Sequence, residues 1–227
     1  LESADNTPAR YIPLSLINEG NFDLNEYVEF LFLKKEHLIE DLSNGTKVNI
    51  PYYLFNSHGH YIAKNSPLNG VFNIPVFVIA SSFLDLNFGH WIIIYLSKLT
   101  ATILITFSAL FIFLSSKKLT SEKNSFLITI IFSFCSNVWT IASQDFWSHT
   151  SSIFFLSMSI YFLIRALKEK SYIKYLGLSI SGAVFVRSSN IFFALIFILY
   201  IIFYYYEYLK SFFIYTIPLS SFFLVYN

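Results

Sequence analysis

From Val71 onward the chain is a succession of apolar runs separated by short polar breaks, and few folds accommodate that pattern. Trp91–Leu114 exceeds the roughly 20 apolar residues that a helix needs to cross hydrocarbon, and Lys98 is its single charge. Phe126–Ala142, Ser151–Ile164, Tyr172–Val186, Ile191–Tyr206 and Phe212–Tyr226 read as further spans near the lower length limit. Val71–Leu84 is shorter and contains Pro75, so a broken or re-entrant segment is expected there. Tyr204, Tyr205, Tyr206 and Tyr208 fit an aromatic belt at a membrane interface. Charged residues make up 13% of the chain, against about 25% in an average soluble domain. That deficit excludes disorder, a disulfide scaffold and most soluble enzymes. The expected class is all-α: a polytopic transmembrane helix bundle with an outer loop region carrying amphipathic juxtamembrane helices.

Two regions are expected, an extracytoplasmic loop region over 1–70 and a membrane bundle over 71–227. Residues 1–70 hold five basic residues against nine acids, and the remainder holds ten against five. No basic run suggests a nucleic-acid surface, so nucleic acid is not an expected partner. Within the first region, Tyr27, Phe30, Leu31, Leu38 and Leu42 recur at roughly helical spacing, which predicts an amphipathic helix over Leu24–Leu42 with Asp23 or Asn25 as its cap. Such a helix would lie on the bilayer surface or pack in a small subdomain of its own. The chain starts at Leu1 and ends in an apolar run, and it reads as an internal piece with at least one helix preceding it.

Orientation follows from the basic residues. Lys117, Lys118 and Lys123, then Arg165, Lys168, Lys170 and Lys174, then Lys210 occupy alternate breaks, whereas the breaks at 143–150 and 187–190 carry Arg187 alone. The lysine-rich breaks belong in the cytoplasm. Residues 1–70 and the other breaks then share the outer face.

Four polar clusters could carry chemistry on that face. In Asp5-Asn6-Thr7-Pro8-Ala9-Arg10, a carboxylate could take a proton from an acceptor hydroxyl or hold a divalent cation; Asp or Asn before Thr-Pro also starts helices. In the second, His58 and His60 supply two metal ligands where a site needs more, and Lys64 could hold a phosphate or be a solvated loop lysine. The third, Ser143–Thr150, gathers Gln144, Asp145, Trp147 and His149 between two spans, more polar groups than a hairpin needs. In the fourth, Arg187 either snorkels or grips a phosphate by paired hydrogen bonds. The single cysteine, Cys135, can form no intrachain disulfide. No metal and no cofactor is fixed by these residues beyond the cation that Asp5 could hold.

Taken in order, the Asp-Asn-Thr-Pro-Ala-Arg loop, the Gly-His-x-x-x-Lys-x-x-Pro turn, the Ala-Ser-Gln-Asp-x-Trp-x-His hairpin and the Val-Arg-x-x-Asn break resemble integral-membrane glycosyltransferases of the GT-C fold. Relatives of that group include the dolichyl-phosphate-mannose protein mannosyltransferases and the lipid A aminoarabinose transferases. The resemblance implies a bacterial inner-membrane enzyme with its site facing outside. It would transfer a sugar from a polyprenyl-phosphate donor to a lipid, glycan or protein acceptor, usually with inversion, with membrane lipids around it. It implies Asp5 and Asp145 as catalytic carboxylates and Lys64, Arg187 and Arg10 as ligands of the donor phosphate. Gln144, His149, His58 and His60 would be substrate-binding. Complete members carry a helix before the Asp loop and a further C-terminal half, so on this resemblance the sequence is expected to be a piece of such an enzyme. The competing classes are a polytopic transporter and a flippase or polymerase of lipid-linked oligosaccharides; a transporter would hold its polar residues near the midplane rather than at one rim.

Overall fold

The computed structural model describes residues 6–28, 38–41, 48–84 and 90–226. Among the described residues it is mostly helical, with two short antiparallel strand pairs. In chain order the elements are α1 (Thr7–Asn18), β1 (Leu38–Asp41), β2 (Val48–Pro51), β3 (Leu54–Ser57), β4 (His60–Ala63), α2 (Leu68–Val71), α3 (Ile74–Ser81), α4 (His90–Leu119), α5 (Glu122–Phe134), α6 (Ser148–Ala166), α7 (Ile173–Val186), α8 (Ile191–Tyr204) and α9 (Leu209–Tyr226). The chain divides into two compact units: Leu1–Thr100 with Asp145–Trp147, and Ala101–Gln144 with Ser148–Asn227. The first extends past residue 70, where composition alone places a boundary.

In the first unit α1 starts where the Thr-Pro pair predicts, with Pro8 in its first turn, where a missing N–H costs nothing. Tyr11, Ile12 and Leu14 of α1 pack with Leu24, Tyr53, Leu54, Ala63, Phe77 and Ile93 in one buried core. The amphipathic helix expected over Leu24–Leu42 does not extend over that whole range, because both of its described ends differ from it before Val28 and after residue 37. Asn25–Tyr27 is a single 3-10 turn, and Leu38–Asp41 is a strand paired antiparallel with Val48–Pro51; residues 29–37 lie outside the described residues. The Asn25 side chain is engaged elsewhere: Oδ1 accepts from the Tyr61 N–H at 2.8 Å, and Nδ2 donates to the Gly59 carbonyl at 3.2 Å. Those bonds hold the 3-10 turn against the β3–β4 hairpin.

That hairpin closes through His58 and Gly59, both in left-handed backbone with φ 53° and 90°. A two-residue loop with two positive φ values matches the right-handed twist of the strands it joins. His58 therefore stands in a conformation that an L side chain rarely takes, and Gly59 takes its own at no steric cost.

In the second unit α7 packs against both α6 and α9. Small residues make this close approach feasible. A Cβ at Gly177 would collide with the Phe212 carbonyl of α9, and one at Gly182 with the Phe155 ring of α6. Ser159 and Ser179 bridge α6 and α7 through their hydroxyls at 2.9 Å. Small residues and paired hydroxyls are what helices use when lipid, not water, surrounds them.

Among the described residues one helix, Trp91–Leu119, is long and apolar enough to cross a membrane, with a mean hydropathy of 2.0 over its most apolar stretch. The other apolar runs form shorter or interrupted helices. Phe126–Ala142 breaks after Phe134 and resumes as a π-turn over Val138–Ala142. With 14 residues each, α7 and α8 reach about 21 Å, short of the roughly 30 Å of hydrocarbon. Val71–Leu84 is broken as expected, into the end of α2 and the whole of α3.

Gly177→Val and Gly182→Val are each expected to destabilise the second unit by roughly 1–3 kcal/mol through overpacking, read as a lower thermal midpoint of the purified protein. An unchanged midpoint for Gly177→Val would mean that α7 and α9 are not held in this close contact.

Candidate functional site

Asp145 is 1% exposed and is the centre of the first unit's polar cluster. A carboxylate in such a place needs a counter-charge and hydrogen bonds on both oxygens. Arg10, itself 2% exposed, forms an ion pair with Oδ2. Asn6 donates to the same oxygen from Nδ2 at 2.9 Å. On Oδ1 the Phe146 backbone N–H donates at 2.8 Å and the Ser97 hydroxyl at 3.3 Å. Three distant pieces of chain therefore meet at one carboxylate: the start of α1, the buried face of α4 and the turn at 145–147. Nearby, Asn73 donates to the Ala9 carbonyl at 2.8 Å, tying α1 to the residue before α3. The cluster keeps spare capacity, because Asn6 Oδ1, Arg10 Nε and Asn73 Oδ1 are buried with no hydrogen-bond partner.

Sequence reasoning singled out Arg10 and Asp145 but gave them separate open roles, a phosphate ligand and a catalytic carboxylate. The structure joins them as a buried pair, so the charge of each is met by the other. Asn6 and Ser97 were missed. Asn6 read as a helix cap, yet its side chain makes no cap hydrogen bond and turns to Asp145 instead. Ser97 sits beside Lys98, whose charge drew the attention; a buried serine in an apolar run was the available signal.

Lys64 is exposed, and its backbone N–H donates to the Tyr53 carbonyl at 2.9 Å. The Tyr53 hydroxyl in turn hydrogen-bonds the Thr7 side chain, and burial raises its pKa. His58 and His60 belong to the hairpin tip, and His60 pairs with Asp23 at 2.9 Å. Among the described residues no three His, Cys, Asp or Glu side chains come close enough to hold a metal ion. Asp5 lies outside the described residues.

In the second unit Arg187, at the end of α7, donates from Nη1 to His149 Nδ1 at 2.6 Å. His149 lies in the polar break before the apolar run of α6. Its pKa is lowered, first by burial and then by the Arg187 charge. A neutral ring that accepts at Nδ1 carries its proton on Nε2. Asn190 braces the same break by donating to Ser152 Oγ and to the Ala183 carbonyl, both at 2.7 Å. Gln144 is exposed and donates to the Trp139 carbonyl at 3.1 Å. The His149 and Arg187 clusters, apart by 38 positions in the chain, thus meet at one hydrogen bond.

Asp145→Ala leaves the Arg10 cation buried and unpaired, and should cost about 3–5 kcal/mol of unfolding free energy. Arg10→Met with Asp145→Leu should recover most of that loss, so the two single costs will not add; additive costs would show that the groups do not interact. For His149, the folded pKa lies below the unfolded value of about 6.5, so the unfolded state binds more protons on acidification. Stability should be undiminished by this group above pH 6.5 and should fall as pH drops through that value. His149→Gln should remove that part of the pH dependence in a thermal-unfolding series from pH 7.5 to 5.

Comparison of the chain with protein-family models, with curated proteins and with solved structures returns no match in any of the three.

Proposed function

We propose that the protein is a multi-pass membrane glycosyltransferase of the GT-C type, moving a sugar from a polyprenyl-phosphate donor to a hydroxyl acceptor on the outer face of the membrane. The observation that carries this reading is the Arg10–Asp145 pair. It joins the Asp-Asn-Thr-Pro-Ala-Arg loop to the Ser-Gln-Asp-x-Trp-x-His hairpin, 135 positions away, and these are two of the motifs on which the resemblance rests. The His149–Arg187 contact joins the hairpin motif to the Val-Arg-x-x-Asn break in the same manner.

The chemistry divides as follows. The acceptor oxygen attacks the anomeric carbon, the bond from that carbon to the phosphate oxygen breaks, and the carrier phosphate leaves with the electron pair. Asp5 takes the acceptor proton. Charge gathers on the leaving phosphate in the transition state, so a fixed guanidinium or ammonium there lowers the barrier selectively. The exposed Lys64, in the same unit as Asp5, fills that role. Arg10 and Asp145, occupied with each other, act as positioning residues: they anchor Asn6, which directly follows Asp5 in the chain. The membrane part of the reading draws on large apolar side chains left exposed along α4 and α8, among them Trp91, Tyr95, Leu99, Phe107, Phe192, Ile196 and Phe203. Apolar surface on that scale is solvated by lipid at lower cost than by water.

In the full-length protein, Asp5→Asn should lower sugar transfer at least about 100-fold, the range typical of a lost general base, with membrane insertion intact. Turnover close to wild type would remove Asp5 from the mechanism. Thiol labelling of single cysteines at positions 64 and 187, in a Cys135→Ser background, separates the transferase from a transporter: the transferase requires both to react from the outer face, and protection of both at the depth of the midplane favours transport.

A further inference from the structure

Where α4 and α6 end, the second unit carries a cavity of about 330 Å³ that is open to the surface. Lys118, Arg165 and Lys168 line it together with Leu119, Ile164, Leu167 and Glu169. Three cations face one carboxylate, Glu169, so the lining keeps a net positive charge. Lys117, next to Lys118, pairs with Glu122 at 3.1 Å, and among the described residues Lys118, Arg165 and Lys168 have no carboxylate within ion-pair distance. The Glu169 carboxylate accepts from the Ser171 hydroxyl at 2.7 Å. Arg165 is held in place: Nη2 donates to the Tyr172 hydroxyl at 2.7 Å, and the guanidinium carbon lies 4.5 Å from the centre of the Tyr172 ring. A guanidinium positioned in this way loses little freedom when a phosphate arrives.

The apolar lining is equally informative. Leu119 is 67% exposed and Leu167 47%, so two leucines reach outward beside three cations. Basic side chains at the ends of α4 and α6 also complement the negative ends of those helices, but that duty calls for neither a cavity nor outward leucines. Cations over an apolar rim match the junction between a lipid headgroup and its acyl chains. By the distribution of lysines this end of α4 faces the cytoplasm, where anionic lipids concentrate.

We propose that this cavity binds the phosphate headgroup of an anionic phospholipid from the cytoplasmic leaflet. The proposal needs only that α4 crosses the bilayer; it is independent of sugar transfer, and its failure would leave that reading untouched. The test is native mass spectrometry of the full chain in detergent, titrated with dioleoylphosphatidylglycerol, with dioleoylphosphatidylcholine or with inorganic phosphate. Phosphatidylglycerol should bind roughly tenfold tighter than phosphatidylcholine, and Lys118→Ala with Lys168→Ala should abolish that preference. Both lysines are exposed, so the double variant should keep its helical circular dichroism. Lys123→Ala, which removes a charge outside the cavity, should keep the preference. Equal binding of the two lipids, survival of the preference in the double variant, or an equal loss in Lys123→Ala would overturn the proposal. Displacement of phosphatidylglycerol by equimolar inorganic phosphate would overturn the assignment to a lipid and leave a site for a soluble phosphate.

Discussion

The Arg10–Asp145 pair is the constraint on which the first unit depends. Removing two opposite charges from water costs several kcal/mol per ion before any attraction is counted. The cost is met here because the carboxylate is also bonded by Asn6, Ser97 and the Phe146 N–H. The same bonds decide topology. Residues 145–147 belong with the first hundred residues rather than with their chain neighbours, and the carboxylate that heads that segment is what α1 and α4 hold.

What the sequence could disclose follows from the range of the forces involved. The helices of the second half were legible because each is specified by its own apolar run. α1 was legible at its start because the signal, Thr7-Pro8, is local. At the far end of Leu24–Leu42 local spacing was ambiguous: Leu38 fits a near-helical interval, yet Leu38–Asp41 is a strand because Val48–Pro51 pairs with it. The β3–β4 hairpin had a local signal in Gly59 and in the short runs on either side of it, which the reading used only as a motif. Breaks inside apolar runs, such as the one after Phe134, depend on packing and have no equivalent signature.

The candidate site was half legible for the same reason. Polar residues in an apolar chain are conspicuous, so Arg10, Asp145, His149 and Arg187 could all be singled out one at a time. Their pairing is a property of the folded chain. Pairing also changes their chemistry: a carboxylate satisfied by a guanidinium holds structure, whereas a guanidinium resting on a neutral imidazole keeps its charge available. Asp145, read in the sequence as catalytic, is satisfied by its partner, whereas Arg187, read as a phosphate ligand, is not neutralised by its own.

A bond between positions 10 and 145 has a consequence for biosynthesis. At roughly 5–20 residues per second, the ribosome needs about seven to thirty seconds to deliver the carboxylate after the guanidinium has emerged. Throughout that interval the first helix carries a cation with nowhere dry to go, and it must wait in water or among lipid headgroups. The segment around Arg10 is therefore made well before it can be locked.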